Sequence, residues 1–224
     1  DTVKATPAKI MAAITKDAVR LALFDGRFEV SQRDIDLAFQ EQAFGLERPI
    51  EEMPENQRRQ LAIHEAGHAV AVHYYRPELR IVRTTIVGRG GALGYVQPVP
   101  KFEEHVHPTK TFIAEIMVSL AGHVAVKVFS GEYWIGASND FQKVRWAIRR
   151  LADFGHFGPP VSNPFEIQPK IGDETAYSQF WNECEQALEQ FFILHADETR
   201  ALAEALLERD SLTGQEVLDV MAEA

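Results

Sequence analysis

The strongest constraint on this chain is a helical segment that carries two histidines four residues apart. Apolar residues recur at helical spacing from Glu55 to Tyr75, and the pattern stops before Pro77. Within it lies the string His64-Glu65-Ala66-Gly67-His68. Residues four apart on a helix lie about 40° apart around the axis and one turn along it. Both imidazoles can therefore reach one metal ion, and the segment is predicted to be a metal-binding helix.

Glu65 completes the zinc-peptidase pattern H-E-x-x-H. It lies one step round the helix from His64, near a metal held by the two imidazoles but not needed as a ligand. From there a carboxylate can take a proton from water and deliver it to a leaving amine. The simpler alternative is an ordinary helix with two surface histidines and a glutamate. Against it, Gly67 inside the helix costs about 1 kcal/mol relative to alanine, which suggests close backbone packing.

A catalytic zinc site needs a third protein ligand, and spacing alone does not identify it. His73 follows His64 by two and a half helical turns, so it faces the wrong way. The extended pattern with a third histidine needs glycine and histidine where this sequence has Ala71 and Tyr74. The remaining candidates are acidic residues and histidines further along the chain, namely Glu103, Glu104, His105, His107, Glu115, His123 and Asp140.

Composition limits the class of protein and its compartment. The 224 residues include 23 Lys and Arg against 33 Asp and Glu, a net charge of −10. Such a surface repels a duplex, so no nucleic-acid partner is expected. A lone cysteine, Cys184, fits a reducing, intracellular setting. No apolar stretch is expected to reach the roughly 18 residues of a membrane span. Because the chain begins with Asp1, we expect a fragment of a longer protein.

Local signals divide the chain into mainly helical segments. Thr6-Pro7, and Ser31 followed by Asp34, are helix-start signals within the first 50 residues. Residues 79–87 read as a strand, and 92–97 as a return strand after a glycine turn. Further helices are predicted over 109–129, 138–154, 175–209 (broken near His195) and 211–221, with a long irregular loop over 155–172.

Four separated segments resemble the peptidase domain of FtsH-type ATP-dependent zinc metalloproteases. In order and rough spacing they are 62–72 (AIHEAGHAVAV), 89–94 (RGGALG), 120–122 (LAG) and 136–140 (GASND). The tail over 202–221 is similar to the end of that domain, so the resemblance covers about residues 52–221. Residues 1–50 resemble the C-terminal end of the helical lid of an AAA+ ATPase module.

The resemblance implies a fold and a set of roles. The fold would be mainly α (α+β), with a small β-sheet or hairpin beside the H-E-x-x-H helix of a peptidase domain over 51–224. Asp140 would be the third zinc ligand beside His64 and His68, and Glu65 the general base and then the general acid. The strand after the glycine turn borders the active-site cleft in the family. A substrate-binding segment is therefore expected at Ala92, Leu93, Gly94, Tyr95 and Val96, pairing with an extended polypeptide.

The family also implies cofactors and partners. One Zn²⁺ per chain, unfolded protein substrates and a homo-hexamer are expected. The chain has no G-x-x-x-x-G-K-[ST] phosphate loop, so ATP is expected only on an upstream module. No membrane segment is expected in this chain, which would be a soluble domain on the cytoplasmic face of a membrane if the parent protein is anchored there.

The sequence departs from the family after Leu120-Ala121-Gly122. The family usually continues with an arginine and then an acidic pair, whereas this chain has His123-Val124-Ala125-Val126-Lys127. The loop over 155–172 is also unlike the family pattern. These differences affect residues that would orient the ligands rather than the ligands themselves. They motivate one alternative, a non-catalytic FtsH-like assembly or adaptor module, and a weaker one, in which residues 1–50 dock other ATPase subunits.

Overall fold

A computed structural model describes most of the chain and packs it as two compact units. The first unit lies within residues 1–53 and 87–95, and the second within 54–86 and 96–224. The described residues are 5–47, 53–102, 108–132, 134, 138–157 and 174–224. The predicted loop over 155–172 and the candidates Glu103, Glu104, His105 and His107 therefore fall largely or wholly outside the described residues.

The first unit is built from short helices whose starts the sequence marks. They are α1 (Pro7–Ala12), a π-helical turn (Ala13–Asp17), α2 (Ala18–Phe24) and α3 (Gln32–Phe44). Thr6 caps α1 by accepting a hydrogen bond from the Lys9 amide, and Pro7 occupies the first helical position, as predicted. Ser31 and Asp34 form a reciprocal capping box at the start of α3.

A buried carboxylate fastens the start of α3 to the preceding loop. Asp34 is 2% exposed and accepts two hydrogen bonds from the Arg27 guanidinium, at 2.6 and 2.8 Å. The hydroxyl and amide of Ser31 donate to the same carboxylate. Hydrogen bonds from Arg27 and Ser31 hold the pKa of Asp34 well below its usual range.

The glycine turn belongs to the same unit. Arg89 and Ala92 exchange two backbone hydrogen bonds of 3.0 Å, which closes the turn. Gly90 has a φ of +57°, and a Cβ there would lie 2.8 Å from the Phe44 carbonyl oxygen. Only glycine fits that place without a backbone shift. The Tyr95 ring stacks on Phe44 with centroids 4.2 Å apart.

The second unit surrounds the histidine helix. Its helices are α4 (Glu55–Tyr75), α5 (Thr109–Ser130), α6 (Ser138–Asp153), α7 (Glu174–Leu194), α8 (Ala196–Arg209) and α9 (Gly214–Glu223). The predicted extent of the histidine helix is confirmed, as is the break at His195, which separates α7 from α8. The expected fold class, mainly helical with a small sheet, is also confirmed.

The small sheet has three strands in the order β2-β1-β3, namely β1 (Leu79–Thr85), β2 (Tyr95–Pro100) and β3 (Ser211–Thr213). β3 runs antiparallel to β1, with Thr84 opposite Leu212. The sequence did not predict β3, because three residues before a helix carry no alternating pattern. The return strand begins at Tyr95 rather than at residue 92, because Ala92 closes the turn with Arg89 instead.

Two apolar cores meet at α4. One core joins α5, α6 and α7, with Leu120, Ile148 and Phe192 among its fully buried side chains. The other joins α4 to α8, α9 and the sheet through Leu206 and Leu212. Because α4 contributes small buried residues to both cores, the position of the histidine helix is fixed from two sides.

The expectation that no segment is apolar enough to span a membrane is wrong, because one helix is long and apolar enough by length and composition. Thr109–Ser130 reaches a mean hydropathy of 1.7 over an 18-residue window, and half of that window is buried inside the protein. The same helix packs against α4, α6 and α7. Its apolar surface is explained by this central place in the core, which surrounds it with helices on several sides.

Candidate metal centre

Three potential metal ligands converge where α4 faces the start of α6. His64 and His68 lie on successive turns of α4, and Asp140 lies in the first turn of α6. The Nε2 atoms of the two histidines are 3.1 Å apart. Each Nε2 atom is 3.3 Å from Oδ2 of Asp140. These three residues form the one His/Cys/Asp/Glu cluster with metal-ligand spacing found in the described part of the chain.

The dimensions of this triangle suit a zinc ion. Zinc binds histidine nitrogen and carboxylate oxygen at about 2.0–2.2 Å and prefers a tetrahedral arrangement. The edge of such a tetrahedron is about 3.3–3.6 Å. The observed separations of 3.1–3.3 Å are close to that edge. Two nitrogens and one carboxylate oxygen also match the donor types of a catalytic zinc site, which leaves a fourth position for substrate or water.

A backbone carbonyl on α5 orients His68. Its Nδ1 atom lies 2.7 Å from the carbonyl oxygen of Val118, which can only accept a hydrogen bond. Nδ1 must therefore carry the proton and donate it to Val118. Nε2, which faces the other two ligands, is then the nitrogen that is left to bind a metal ion. Hydrogen bonds of this kind fix both the tautomer and the ring orientation of metal-binding histidines.

Asp140 is held as an anion in a mostly enclosed place. Burial by itself would raise its pKa, but hydrogen bonds with His64 and His68 and the nearby Lys143 charge lower the pKa well below its usual range. Lys143 lies one turn further along α6, with Nζ 2.9 Å from Oδ1 of Asp140. The other carboxylate oxygen, Oδ2, faces the two histidines.

Glu65 lies in the interior beside this cluster. It is 4% exposed, and burial raises the pKa of its carboxyl to about 7. The neighbouring charges act in both directions, since His64 lowers this pKa and Asp140 raises it. A carboxyl with a pKa near neutrality can exist in both protonation states, which is what a group that accepts and later returns a proton requires.

The other candidate ligands lie apart from this cluster. His73 is exposed, in agreement with the argument from helical spacing. His123 is partly buried on α5, with its ring 5.0 Å from that of Phe141, and neither it nor Glu115 belongs to the donor triangle. Sequence reasoning missed Lys143 and the Val118 carbonyl. A lysine one turn after an acidic candidate was the only available signal, and no sequence signal exists for a carbonyl group.

The proposed substrate-binding residues are divided between the turn and β2. Ala92 closes the turn, and Leu93 follows it with 51% of its surface exposed. Tyr95 and Val96 are the first two residues of β2. β2 is an edge strand, since it pairs with β1 on one side in the described sheet.

Comparisons with known proteins agree with this arrangement. Residues 51–158, which include all three potential ligands and Glu65, match the model of peptidase family M41. The chain is 28% identical over 232 residues to ATP-dependent zinc metalloprotease FtsH 2 of Methylacidiphilum infernorum, covering 94% of this chain and 36% of that protein. It is 30% identical over 235 residues to the FtsH of Thermus thermophilus, covering 95% and 37%. For the FtsH of Aquifex aeolicus the identity is 32% over 162 residues, covering 68% and 26%.

The matches to the first two relatives cover nearly all of this chain but only part of each relative. The chain spans about a third of the length of the curated relatives it matches, as the 36% and 37% coverage of the first two shows. The similarity nevertheless extends over nearly the whole of this chain. The chain therefore carries a peptidase domain of family M41 and is a distant homologue of the FtsH-type zinc metalloproteases.

Proposed function

We propose that this chain is a zinc-dependent endopeptidase domain that cleaves unfolded or translocated polypeptides. The observation that carries the proposal is the donor triangle of His64, His68 and Asp140 with the buried Glu65 beside it. A structural zinc site is usually closed by four protein ligands, whereas these three leave one position open. A buried glutamate next to that position has a use in hydrolysis and none in holding a structure together.

The ligands and Glu65 have distinct roles in the proposed reaction. When bound, zinc supplies Lewis acidity, which polarises a peptide carbonyl and acidifies water. His64, His68 and Asp140 would hold the ion, and Val118 and Lys143 would keep two of these ligands in orientation. The Glu65 carboxylate takes a proton from the attacking water and delivers it to the leaving nitrogen as the peptide bond breaks.

Substrate would pair with the segment from Ala92 to Val96 as an additional strand. Main-chain hydrogen bonds of this kind give affinity with little dependence on sequence, which suits unfolded substrates. The Lys101 amide donates to the Glu78 carbonyl, so the alternation along β2 directs every second amide toward β1. Val96, Pro98 and Pro100 are then the positions that face the free edge, and of these three Val96 alone has an N–H group.

The wider assembly is proposed by analogy with the relatives. Their printed names describe ATP-dependent zinc metalloproteases. Residues 1–50 would be the end of an AAA+ lid and residues 51–224 the peptidase domain, in a homo-hexamer that receives polypeptide from an upstream ATPase. The site would face the cytoplasm if the parent protein is anchored in a membrane.

Replacing Glu65 with glutamine tests the assignment of roles. The Glu65→Gln chain should keep one zinc per chain and the wild-type fold, because the amide has nearly the same shape and is not a ligand. Its peptidase turnover should fall by at least about 100-fold, the contribution typical of general acid–base catalysis. Metal content would be measured by mass spectrometry and turnover with an unstructured protein substrate.

A matched variant separates metal binding from proton transfer. His68→Gln should lose both zinc and turnover, whereas Glu65→Gln should lose turnover alone. A zinc-loaded Glu65→Gln protein that cleaves at the wild-type rate would sink the role of Glu65. A well-folded, zinc-loaded wild-type chain without any peptidase activity would favour the non-catalytic assembly or adaptor module.

A further inference from the structure

Gly122 on α5 lies directly against both histidine rings. A Cβ atom at this position would lie 2.6 Å from Cε1 of His64 and 2.6 Å from Nε2 of His68. It would also lie 2.7 Å from Nδ1 of His64. A Cβ atom forms no hydrogen bonds and essentially never lies this close to a heavy atom to which it is not bonded, since the optimal contact between carbon atoms is about 3.5–4.0 Å. Any side chain at residue 122 would therefore displace at least one imidazole.

The two helices cannot move apart easily to make room. At Gly67 of α4, a Cβ atom would lie 2.6 Å from Cβ of Ala125 and 3.1 Å from the carbonyl oxygen of Ala121. Both alanines are fully buried. The backbones of α4 and α5 thus approach through small residues, within the most extensive helix–helix contact of the second unit. Close-packed interiors of this kind resist rigid shifts, so the rings would have to yield first.

The same face of α5 also holds His68 by a hydrogen bond. Val118, whose carbonyl accepts the Nδ1 proton of His68, precedes Gly122 by four residues and so lies one turn away on the same side of the helix. One turn of α5 therefore supplies the Val118 carbonyl as a hydrogen-bond acceptor, and the next turn supplies the space left by the missing Cβ of Gly122. α5 contributes no ligand to the donor triangle, yet it contacts the rings of both histidine ligands.

We propose that Gly122 is a positioning residue that sets the orientation of His64 and His68, and through it the metal affinity of the site. The proposal rests on the zinc-binding function inferred above for these histidines. The missing Cβ is the specific requirement, because alanine is otherwise the better helix former. The role of Gly122 is thus to leave volume for the rings, rather than to give the backbone of α5 freedom.

Zinc affinity of Gly122→Ala is the first test. The variant should bind zinc about 10- to 100-fold more weakly than wild type, the range seen when groups that orient metal ligands are removed. Affinity would be measured by competition with a chromophoric chelator. Cobalt substitution adds a second readout, since displaced rings should change the visible absorption of bound Co²⁺. Unchanged zinc affinity together with an unchanged cobalt spectrum would overturn the proposal.

Thermal unfolding in the presence of a chelator tests the steric claim without any metal. Gly122→Ala should lower Tm by about 2–12 °C, the range expected for overpacking in a domain of this size. The loss should disappear when the same change is made in a His64→Ala, His68→Ala background, because the rings that occupy the volume are gone. An equal loss in both backgrounds would show that Gly122 only permits helix packing.

Gly67→Ala is the matched control, because its Cβ would meet Ala125 rather than a histidine. It should lower Tm equally in the wild-type and the double-alanine backgrounds. The zinc-affinity and thermal-unfolding experiments also test the proposed function and the role of Gly122 separately. A wild-type chain that does not bind zinc would end the proposed function, while the thermal experiment would still decide whether Gly122 positions the histidine rings.

Discussion

Asp140 remains charged in a mostly enclosed place because nitrogen atoms surround its carboxylate. The Nε2 atoms of His64 and His68 lie 3.3 Å from one oxygen, and Nζ of Lys143 lies 2.9 Å from the other. Such an anion offsets part of the charge of a divalent ion and so makes the site better suited to zinc than two neutral histidines would be. Lys143 is 60% exposed at its side chain, so its contribution is screened by solvent.

Asp34 should make the stability of the first unit sensitive to acid. Because its folded pKa is lowered, its stabilising effect is complete above its ordinary pKa of 3.8 and is lost as the pH falls below that value. Asp34→Asn should therefore be less stable than wild type at pH 7, and the difference should narrow progressively below pH 4. Urea unfolding followed by circular dichroism at several pH values measures this.

Asp36→Asn provides the control on the same helix. Its carboxylate accepts a hydrogen bond from Gln32, one turn earlier, and has no part in the Arg27 network. This variant should keep the pH dependence of the wild type. A stability difference for Asp34→Asn that is constant from pH 7 to pH 2.5 would contradict the assignment of the acid-linked stabilisation to Asp34.

Single residues of the site differ in how far the sequence predicts them. His64 and His68 follow from helical geometry alone, because both lie on one continuous helix. Asp140 lies on another helix, and only the resemblance to a known family selected it among seven candidates. Lys143 contacts Asp140 from one turn further along the same helix, which a spacing rule can suggest. Gly122 contacts the histidines only through the packing of α5 against α4, and no spacing rule along the chain encodes such packing.

At the scale of secondary-structure elements, the free edge of β2 would determine how a polypeptide could pair with the small sheet. Pro98 and Pro100 remove two of the three amides that alternation directs outward. Prolines at such positions blunt an edge strand against uncontrolled pairing. A substrate pairing with β2 would therefore receive one outward N–H donor, from Val96, and otherwise only carbonyl acceptors.

Restoring a donor at residue 98 should strengthen substrate binding. Pro98→Ala adds an outward N–H group, and one further hydrogen bond contributes about 0.5–1.5 kcal/mol net. KM for an unstructured substrate should fall by about 2- to 10-fold with little change in kcat. Gln97→Ala, whose amide faces β1 by the same alternation, should leave KM near the wild-type value. A Pro98→Ala chain with an unaltered KM would exclude pairing of substrate along this edge.

Elements with end signals and a long periodic pattern were predicted well. Thr6-Pro7 and the Ser31–Asp34 capping box mark helix starts that the structure confirms. β3 escaped prediction because its three residues acquire strand geometry only by pairing with β1. The start of β2 was misplaced by three residues, since the turn closes through Arg89 and Ala92 and not through glycines alone.

For the whole molecule, a bound ion would join parts of the second unit that are distant in sequence. His68 and Asp140 are 72 residues apart, on α4 and α6. Both helices pack against α5, and this packing holds the three residues of the donor triangle close to one another. A metal held there closes a long loop, which makes the folded unit and the bound ion stabilise one another.

Zinc should therefore raise the thermal stability of the second unit. A free zinc concentration 100-fold above Kd contributes about 2.7 kcal/mol, which corresponds to a Tm increase of about 5–10 °C. Differential scanning calorimetry with zinc and with a chelator would measure it. His68→Ala should abolish the increase, while His73→Ala, an exposed histidine of the same helix, should preserve it. An identical Tm with zinc and with chelator would argue against a folded-state zinc site.

The two compact units do not follow the linear order of the chain. The sequence suggested a boundary near residue 50, and the first unit also includes residues 87–95, which lie far along the chain. Glycine-rich turns carry no apolar periodicity, so nothing in that segment indicates which core it joins. The resemblance compares segments in their order along the chain, so it does not indicate that residues 87–95 pack with the N-terminal residues.

Degradation of casein by the isolated chain, without ATP, tests the central claim most directly. The reaction would be run with zinc, with a chelator, and with zinc restored after chelation, using chain whose folding has been verified by circular dichroism. Fragments should form with zinc, cease to form with chelator and form again on zinc addition, because the three ligands and Glu65 all lie within this chain. Cleavage that continues unchanged in chelator, or no cleavage by folded, zinc-loaded and fully assembled protein, would contradict a zinc endopeptidase.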